Sequence, residues 1–176
     1  MEVEDILKNS GNWVKRCILI LLLIKICFTA FGANYIYNGN STYKSDIIYT
    51  YKDGHLYAGE YPYRDKIKYT YKDGRMYWGE YAYRDKVIYT FKNGYLYKGW
   101  DTYQSNIKLS YDGKYVYYGK GNYYVNTMMT IKKGVIYAGR NEYQSNILLR
   151  WSGDIPIPVL LMAAYNVYLY YSKIKN

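Results

Sequence analysis

The sequence predicts an all-β fold, a tandem array of twenty-residue units that each supply two short strands. Three observations carry that prediction. Glycines recur at Gly39, Gly59, Gly79, Gly99, Gly119 and Gly139, and tyrosines keep the same step at Tyr37, Tyr57, Tyr77, Tyr97, Tyr117 and Tyr137. A second column runs Tyr43, Tyr63, Tyr83, Tyr103, Tyr123 and Tyr143, so five full repeats lie between Ser41 and Arg140, with half repeats at either end. Each unit separates two β-branched and aromatic runs by turn residues, the local signature of paired strands. Tyrosine, finally, supplies 29 of 176 residues against three phenylalanines. Its ring packs while its hydroxyl stays wet, which suits a half-buried pleated surface. One such unit cannot bury its own face, so its neighbours must cover it. A period of twenty permits an open meander, a two-sided solenoid-like array or a more entangled path.

The first element, residues 1–32, reads as a signal helix that exports the chain. Lys15 and Arg16 form a basic start, Cys17 to Ile24 a short apolar stretch, and Ala30-Phe31-Gly32 offers small residues where signal peptidase cuts. Lys25 ends the apolar run short of the roughly 20 residues that a span needs, and an uncleaved anchor is the alternative. The acidic "MEVEDILKNSGNW" ahead of it is unusual for a signal, and a translation start at Val14 would explain it. Cys17 and Cys27 both fall in this segment, so cleavage leaves no cysteine for a disulfide or a metal site.

Residues 33–158 form the predicted tyrosine-rich repeat domain. In its second unit Ile67-Lys68-Tyr69-Thr70-Tyr71 is a strand, Lys72-Asp73-Gly74 a turn, and Met76-Tyr77-Trp78 the returning strand. Gly74 is expected at positive φ, where a β-branched side chain would be strained. A three-residue bulged loop would pair Tyr51 with His55 and Tyr49 with Tyr57. Alternation puts Ile47, Tyr49 and Tyr51 on one face and Ile48 and Thr50 on the other. The structural residues of the repeat are then Tyr57, Gly59, Gly74, Tyr77, Gly79, Tyr97 and Gly99. The longer connection, Gly79 to Asp85, is polar, and Pro62 one unit earlier lacks the amide that a central strand requires.

The pattern decays after residue 110: Asp112-Gly113 arrives one residue early, and Thr127-Met128-Met129 replaces Ile-x-Tyr. Residues 159–176 open on the apolar run "VLLMAAYNVYLYY". They are expected to cap the last repeat, as repeat arrays require at their ends. A membrane-seated tail is the alternative, for which thirteen residues are short.

Two resemblances rest on these motifs. "YTYKDGHLYAGE" and "YTYKDGRMYWGE" resemble half of a MORN repeat, which implies a scaffold often placed at membranes. "STYKSDIIYT", "DTYQSNIKLS" and "NEYQSNILLR", with the Ile-Pro tail, resemble small bacterial tyrosine-repeat proteins of Tyr-x-Ser-Asp-Ile-x-Tyr units. That similarity spans residues 35–158 and implies a bacterial source but supplies no activity. The septoil-knot family is similar more distantly.

Catalytic patterns are missing. His55, the only histidine, has Arg75 and Tyr95 at its equivalent positions and reads as solvent-facing. Asp46, Asp65 and Asp85 recur beside Lys44, Arg64 and Arg84, as loop ion pairs or turn caps would. No nucleophile elbow, P-loop, HExxH or calcium loop is present. The reading is therefore a non-catalytic protein without a cofactor or metal.

The net charge of +10 favours an anionic partner, an envelope polysaccharide or an anionic membrane surface, and export argues against nucleic acid. Exposed lysines keep strand edges apart, though self-association through sheet edges stays open. Tyr61, Arg64 and Lys66 recur as Tyr81, Arg84 and Lys86, and are the candidate binding residues. Tyr63 and Tyr83 belong to the longer column and read instead as buried pillars. The expected function is an exported structural or surface-binding scaffold located in the periplasm, on the outer surface or outside the cell. A MORN-like scaffold anchored by the apolar tail is the alternative.

Overall fold

Each twenty-residue unit folds as an antiparallel hairpin in a computed structural model that describes residues 34–174. The expected signal helix and both cysteines lie outside the described residues. The strands in chain order are β1 (Asn34–Asn38), β2 (Ile47–Lys52), β3 (His55–Ala58), β4 (Ile67–Lys72), β5 (Arg75–Trp78) and β6 (Val87–Lys92). There follow β7 (Tyr95–Lys98), β8 (Ile107–Tyr111), β9 (Tyr115–Tyr118), β10 (Thr127–Lys132), β11 (Val135–Ala138) and β12 (Ile147–Trp151). Helix α1 (Ile157–Ile174) ends the described chain.

The sheet is neither an open meander nor a solenoid. All twelve strands form one closed antiparallel barrel, with β1 hydrogen-bonded to both β2 and β12. The half repeats at the two ends are what close it. Leu149, Arg150 and Trp151 pair with Asn38, Tyr37 and Ile36. Tyr49, Thr50 and Tyr51 pair with Ala58, Tyr57 and Leu56 in the same register within one hairpin. A sixth hairpin is thus assembled from the opposite ends of the domain without a turn. Closure satisfies the edge strands of an open array, so the described strands leave no edge for self-association.

Four of the five described turns are one residue tighter than the sequence suggests, the β8–β9 turn being the exception. Asp53 and Gly54 both have positive φ, 50° and 80°, and Lys52 pairs with His55. This is a two-residue type I′ turn, whose twist matches that of the strands and which favours Asp-Gly or Asn-Gly. Tyr51 therefore meets Leu56, not His55, and Thr50 meets Tyr57. A slip of one residue changes every partner.

Faces are corrected as well. Between hairpins the register jumps, with Leu56 opposite Tyr69 and Tyr57 opposite Ile67, so Lys68 is skipped. The bulge lets two successive residues face one way. Ile48, Tyr49 and Tyr51 pack on the interior, and Ile47, expected beside them, is buried outside that cluster.

The interior explains the apolar tail. Ile36, Leu56, Met76, Leu96, Val116 and Ile136, one from each hairpin, are at most 2% exposed and line the lumen. Barrel diameter grows with strand number, and twelve strands enclose more room than side chains alone fill. Helix α1, about 10 Å across, fills it. Val159, Leu160, Leu161, Met162, Ala163 and Ala164 are buried all around the helix and join one core with residues of every hairpin. The segment is thus the barrel's central core rather than a cap on the last repeat.

Among the described residues, no helix is long and apolar enough to cross a membrane. Because the helix lacks sixfold symmetry, the wall facing it cannot repeat perfectly. Tyr49, Tyr69 and Tyr89 on one side become Leu109, Met129 and Leu149 on the other, and Tyr89 meets Tyr165 edge-on at 6.1 Å.

Candidate functional site

Antiparallel hairpins put all their turns at one end of the barrel and all six connections at the other. The connections are pinned back over their own hairpins. Thr70 donates its hydroxyl to the carbonyls of Gly79 and Glu80 at 2.7 and 2.9 Å, and Thr50, Thr90 and Thr130 do the same in their units. The connection so held covers the tyrosine opposite each threonine: Tyr57, Tyr77 and Tyr97 are buried although they face away from the lumen. Gly59, Gly79 and Gly99 turn the chain back at φ of 76–77°. Ser110 occupies the threonine position in the fourth hairpin, and its buried hydroxyl has no hydrogen-bond partner among the described residues.

His55 is half-buried rather than solvent-facing, with Nδ1 at 2.9 Å from Thr70 Oγ1. The threonine hydrogen is already directed at two carbonyls, so Nδ1–H is the donor to Oγ1. The histidine braces a connection.

Each connection then forms a one-turn 3-10 helix, and the residue before it is the second tyrosine column. Tyr43, Tyr63, Tyr83, Tyr103, Tyr123 and Tyr143 are 60–78% exposed. The buried pillars expected at Tyr63 and Tyr83 are therefore exposed ring positions, because the connection that holds them lies outside the wall. Tyr61 stacks on Tyr63 at 5.8 Å and 22°, and Tyr81 on Tyr83 at 5.7 Å and 25°.

The basic residues of these loops divide into two kinds. Arg64 reaches the next connection, bonding Glu80 at 2.8 Å and the hydroxyl of Tyr81 at 3.0 Å. The bond to Glu80 and its charge, with help from Tyr81, hold the guanidinium above its ordinary pKa. Lys44 pairs with Glu60 in the same way, and Arg84 instead lies 5.0 Å from the ring centre of Trp100. Arg140 lies 4.3 Å from the ring of Tyr124. Neighbouring connections are thus linked by an ion pair or a cation–π contact around much of the rim.

Lys66 and Lys86, by contrast, pair with the exposed Asp65 and Asp85 of their own loops, at 3.6 and 3.9 Å. Exposed pairs of this kind contribute about 0–1 kcal/mol. The candidate residues Tyr61, Arg64, Lys66, Tyr81, Arg84 and Lys86 therefore share one surface, and the two arginines are its braces. Glu60, Glu80 and Trp100, which the sequence reading did not single out, complete it. Their signal was available in the period, since each lies sixteen residues after its basic partner.

No group of three or more His, Cys, Asp or Glu among the described residues could hold a metal ion. The described residues assemble no catalytic constellation.

No curated protein and no solved structure matches the chain. A family model, described as 6-fold beta flower protein, matches residues 29–160. This overturns the resemblances to MORN repeats, to tyrosine-repeat proteins and to the septoil-knot family. The MORN resemblance rested on hairpin motifs of about twelve residues and the tyrosine-repeat one on residues 35–158, whereas the match takes in all six hairpins and the start of α1. The chain belongs to the 6-fold beta flower family.

Proposed function

We propose that this domain is an exported, non-catalytic display scaffold whose connection rim binds an anionic envelope polysaccharide. The observation that supports this reading is the pair of stacked tyrosine ladders, Tyr61 on Tyr63 and Tyr81 on Tyr83, in adjacent hairpins beside the exposed Lys66 and Lys86. Flat aromatic faces stack on sugar rings, and a lysine ammonium beside them meets the carboxylate or phosphate of the polymer. Two copies one hairpin apart match a ligand that itself repeats, which turns weak contacts into avidity. The net charge of +10 adds attraction that salt will weaken. A barrel wall filled by a helix keeps the two loops at a fixed spacing.

The test is retention of the full chain on immobilised envelope polysaccharide at moderate salt. Changing Tyr61 and Tyr81 together to Ser, or Lys66 and Lys86 together to Ser, should each reduce retention several-fold while circular dichroism stays unchanged. Unchanged retention in both folded variants would remove the proposal. Retention on anionic vesicles but not on polysaccharide would move the partner to a membrane surface.

A further inference from the structure

The sixfold wall is interrupted at one sector of the mouth from which α1 emerges. Inward positions at the ends of the returning strands carry Asn38, Ala58, Trp78, Lys98, Tyr118 and Ala138 in turn. The small Ala58 stands between Asn38 and the large Trp78 and leaves a gap in the wall. A cavity of about 550 Å³ opens there between the strands and the last turns of the helix. Trp78, Tyr49, Tyr69, Tyr170 and Tyr171 supply its aromatic lining. Trp78 is 58% exposed and meets Tyr69 edge-on at 5.4 Å, and Tyr69 meets Tyr49 at 6.1 Å.

Three polar residues complete the lining, and each departs from its surroundings. Asn166 is the one carboxamide within "VLLMAAYNVYLYY", where asparagine is a poor helix former. It is half-buried on the cavity wall. Asn38 brings a second carboxamide from β1. Lys68 occupies the bulge position that is Ile48 and Ile88 in the flanking hairpins, and among the described residues of the lining it is the charged one. Among the described residues Lys68 has no ion pair and no acid lines the cavity.

We infer that this cavity is a binding site for an acidic sugar, a uronic-acid unit. The volume lies within the roughly 300–1,000 Å³ range of small-ligand sites, which are mostly apolar with a few placed polar groups. Aromatic planes on the wall and the helix stack against the C–H faces of a pyranose. The two carboxamides both donate and accept, as ring hydroxyls demand. The lone ammonium selects a carboxylate over a neutral hydroxymethyl. This site is separate from the stacked tyrosines of the rim. It deepens the polysaccharide reading, on which it rests for the source of the sugar, by assigning the class of sugar and a pocket for a chain end.

The experiment is titration calorimetry of the full chain with a glucuronic-acid tetrasaccharide, the glucose tetrasaccharide of the same linkage, and free glucuronate. The acidic tetrasaccharide should bind saturably at one site per chain, about tenfold or more tighter than the neutral one, a difference of about 1.4 kcal/mol. Trp78→Ala should weaken both. Lys68→Ile, which installs the residue found at positions 48 and 88 and so preserves the fold, should reduce the acidic ligand to the neutral level. Free glucuronate binding with the same Lys68 dependence supports a pocket for single units. Changing Tyr61 and Tyr81 to Ser should leave these titrations unchanged, which separates this site from the rim. Absence of saturable binding by all three probes, or binding that Lys68→Ile and Trp78→Ala both leave intact, would overturn the inference even if rim retention persisted.

Discussion

Gly74 and Gly79 show how one residue type serves two purposes in the same unit. Both sit at positive φ, 73° and 76°. A Cβ at Gly79 would meet nothing, whereas one at Gly74 would lie 3.0 Å from the carbonyl oxygen of Phe91 in the next hairpin. The approach is close because the Phe91 amide donates to the Gly74 carbonyl at 2.7 Å, and a backbone oxygen cannot swing away. Gly79→Ala should therefore cost only the strain of its backbone, about 1 kcal/mol, and Gly74→Ala distinctly more. Equilibrium denaturation in urea compares them. Ser110 gives a prediction of the opposite sign. Its hydroxyl is buried without a partner among the described residues where Thr50, Thr70, Thr90 and Thr130 pin their connections. Ser110→Thr should supply the missing pin and raise stability by about 0.5–1.5 kcal/mol, and Thr70→Val should lower it by at least as much.

At the scale of elements, the barrel and its helix depend on each other. Ala163 and Ala164 are fully buried where α1 passes between the walls. Enlarging Ala163 to Leu should cost about 1–3 kcal/mol through overpacking, although leucine is a good helix former, and thermal unfolding reads the loss. The wall also carries a reporter of its own burial. Tyr49 and Tyr89 are pushed up to about 12, mainly by desolvation, with Tyr69 acting on the first and Tyr165 on the second. Because the folded pKa lies above the unfolded value of about 10, their contribution is complete below pH 10. It is lost as pH rises through about 12. Stability should be level on the neutral side of that window and fall across it, and replacing both with Phe should flatten the fall. Absorbance near the tyrosinate band during the same titration would assign it.

For the whole molecule, closure removes the independence that repeats have in a linear array. In an open array, deleting residues 61–80 removes one neighbour and leaves a folded remainder. Here the same deletion removes one of six hairpins from a ring fitted around α1, and β1 must still reach β12. The variant should lose cooperative unfolding, as followed by near-ultraviolet circular dichroism against denaturant. Retention of a sharp transition would mean that ten strands can close around the same helix.

The hairpins were legible in the sequence because their causes are local. Alternating aromatic and β-branched residues, Asp-Gly turns and a strict period specify paired strands whatever their neighbours do. The lysines and tyrosines of the connections could be located in the same way, though not the exposure of Tyr63 and Tyr83, since the Thr70 pin that holds the loop outside the wall is a contact between positions nine and ten apart. Tertiary structure alone decided three things. It joined two half repeats, β1 and β12, into a sixth hairpin across the length of the domain. It placed an apolar segment with no partner of its own inside the lumen. It also grouped Lys68, Trp78 and Asn166 at one mouth. The reason is common to all three: a repeat states how each unit pairs with the next, while closure and filling depend on how many units there are and what volume they enclose.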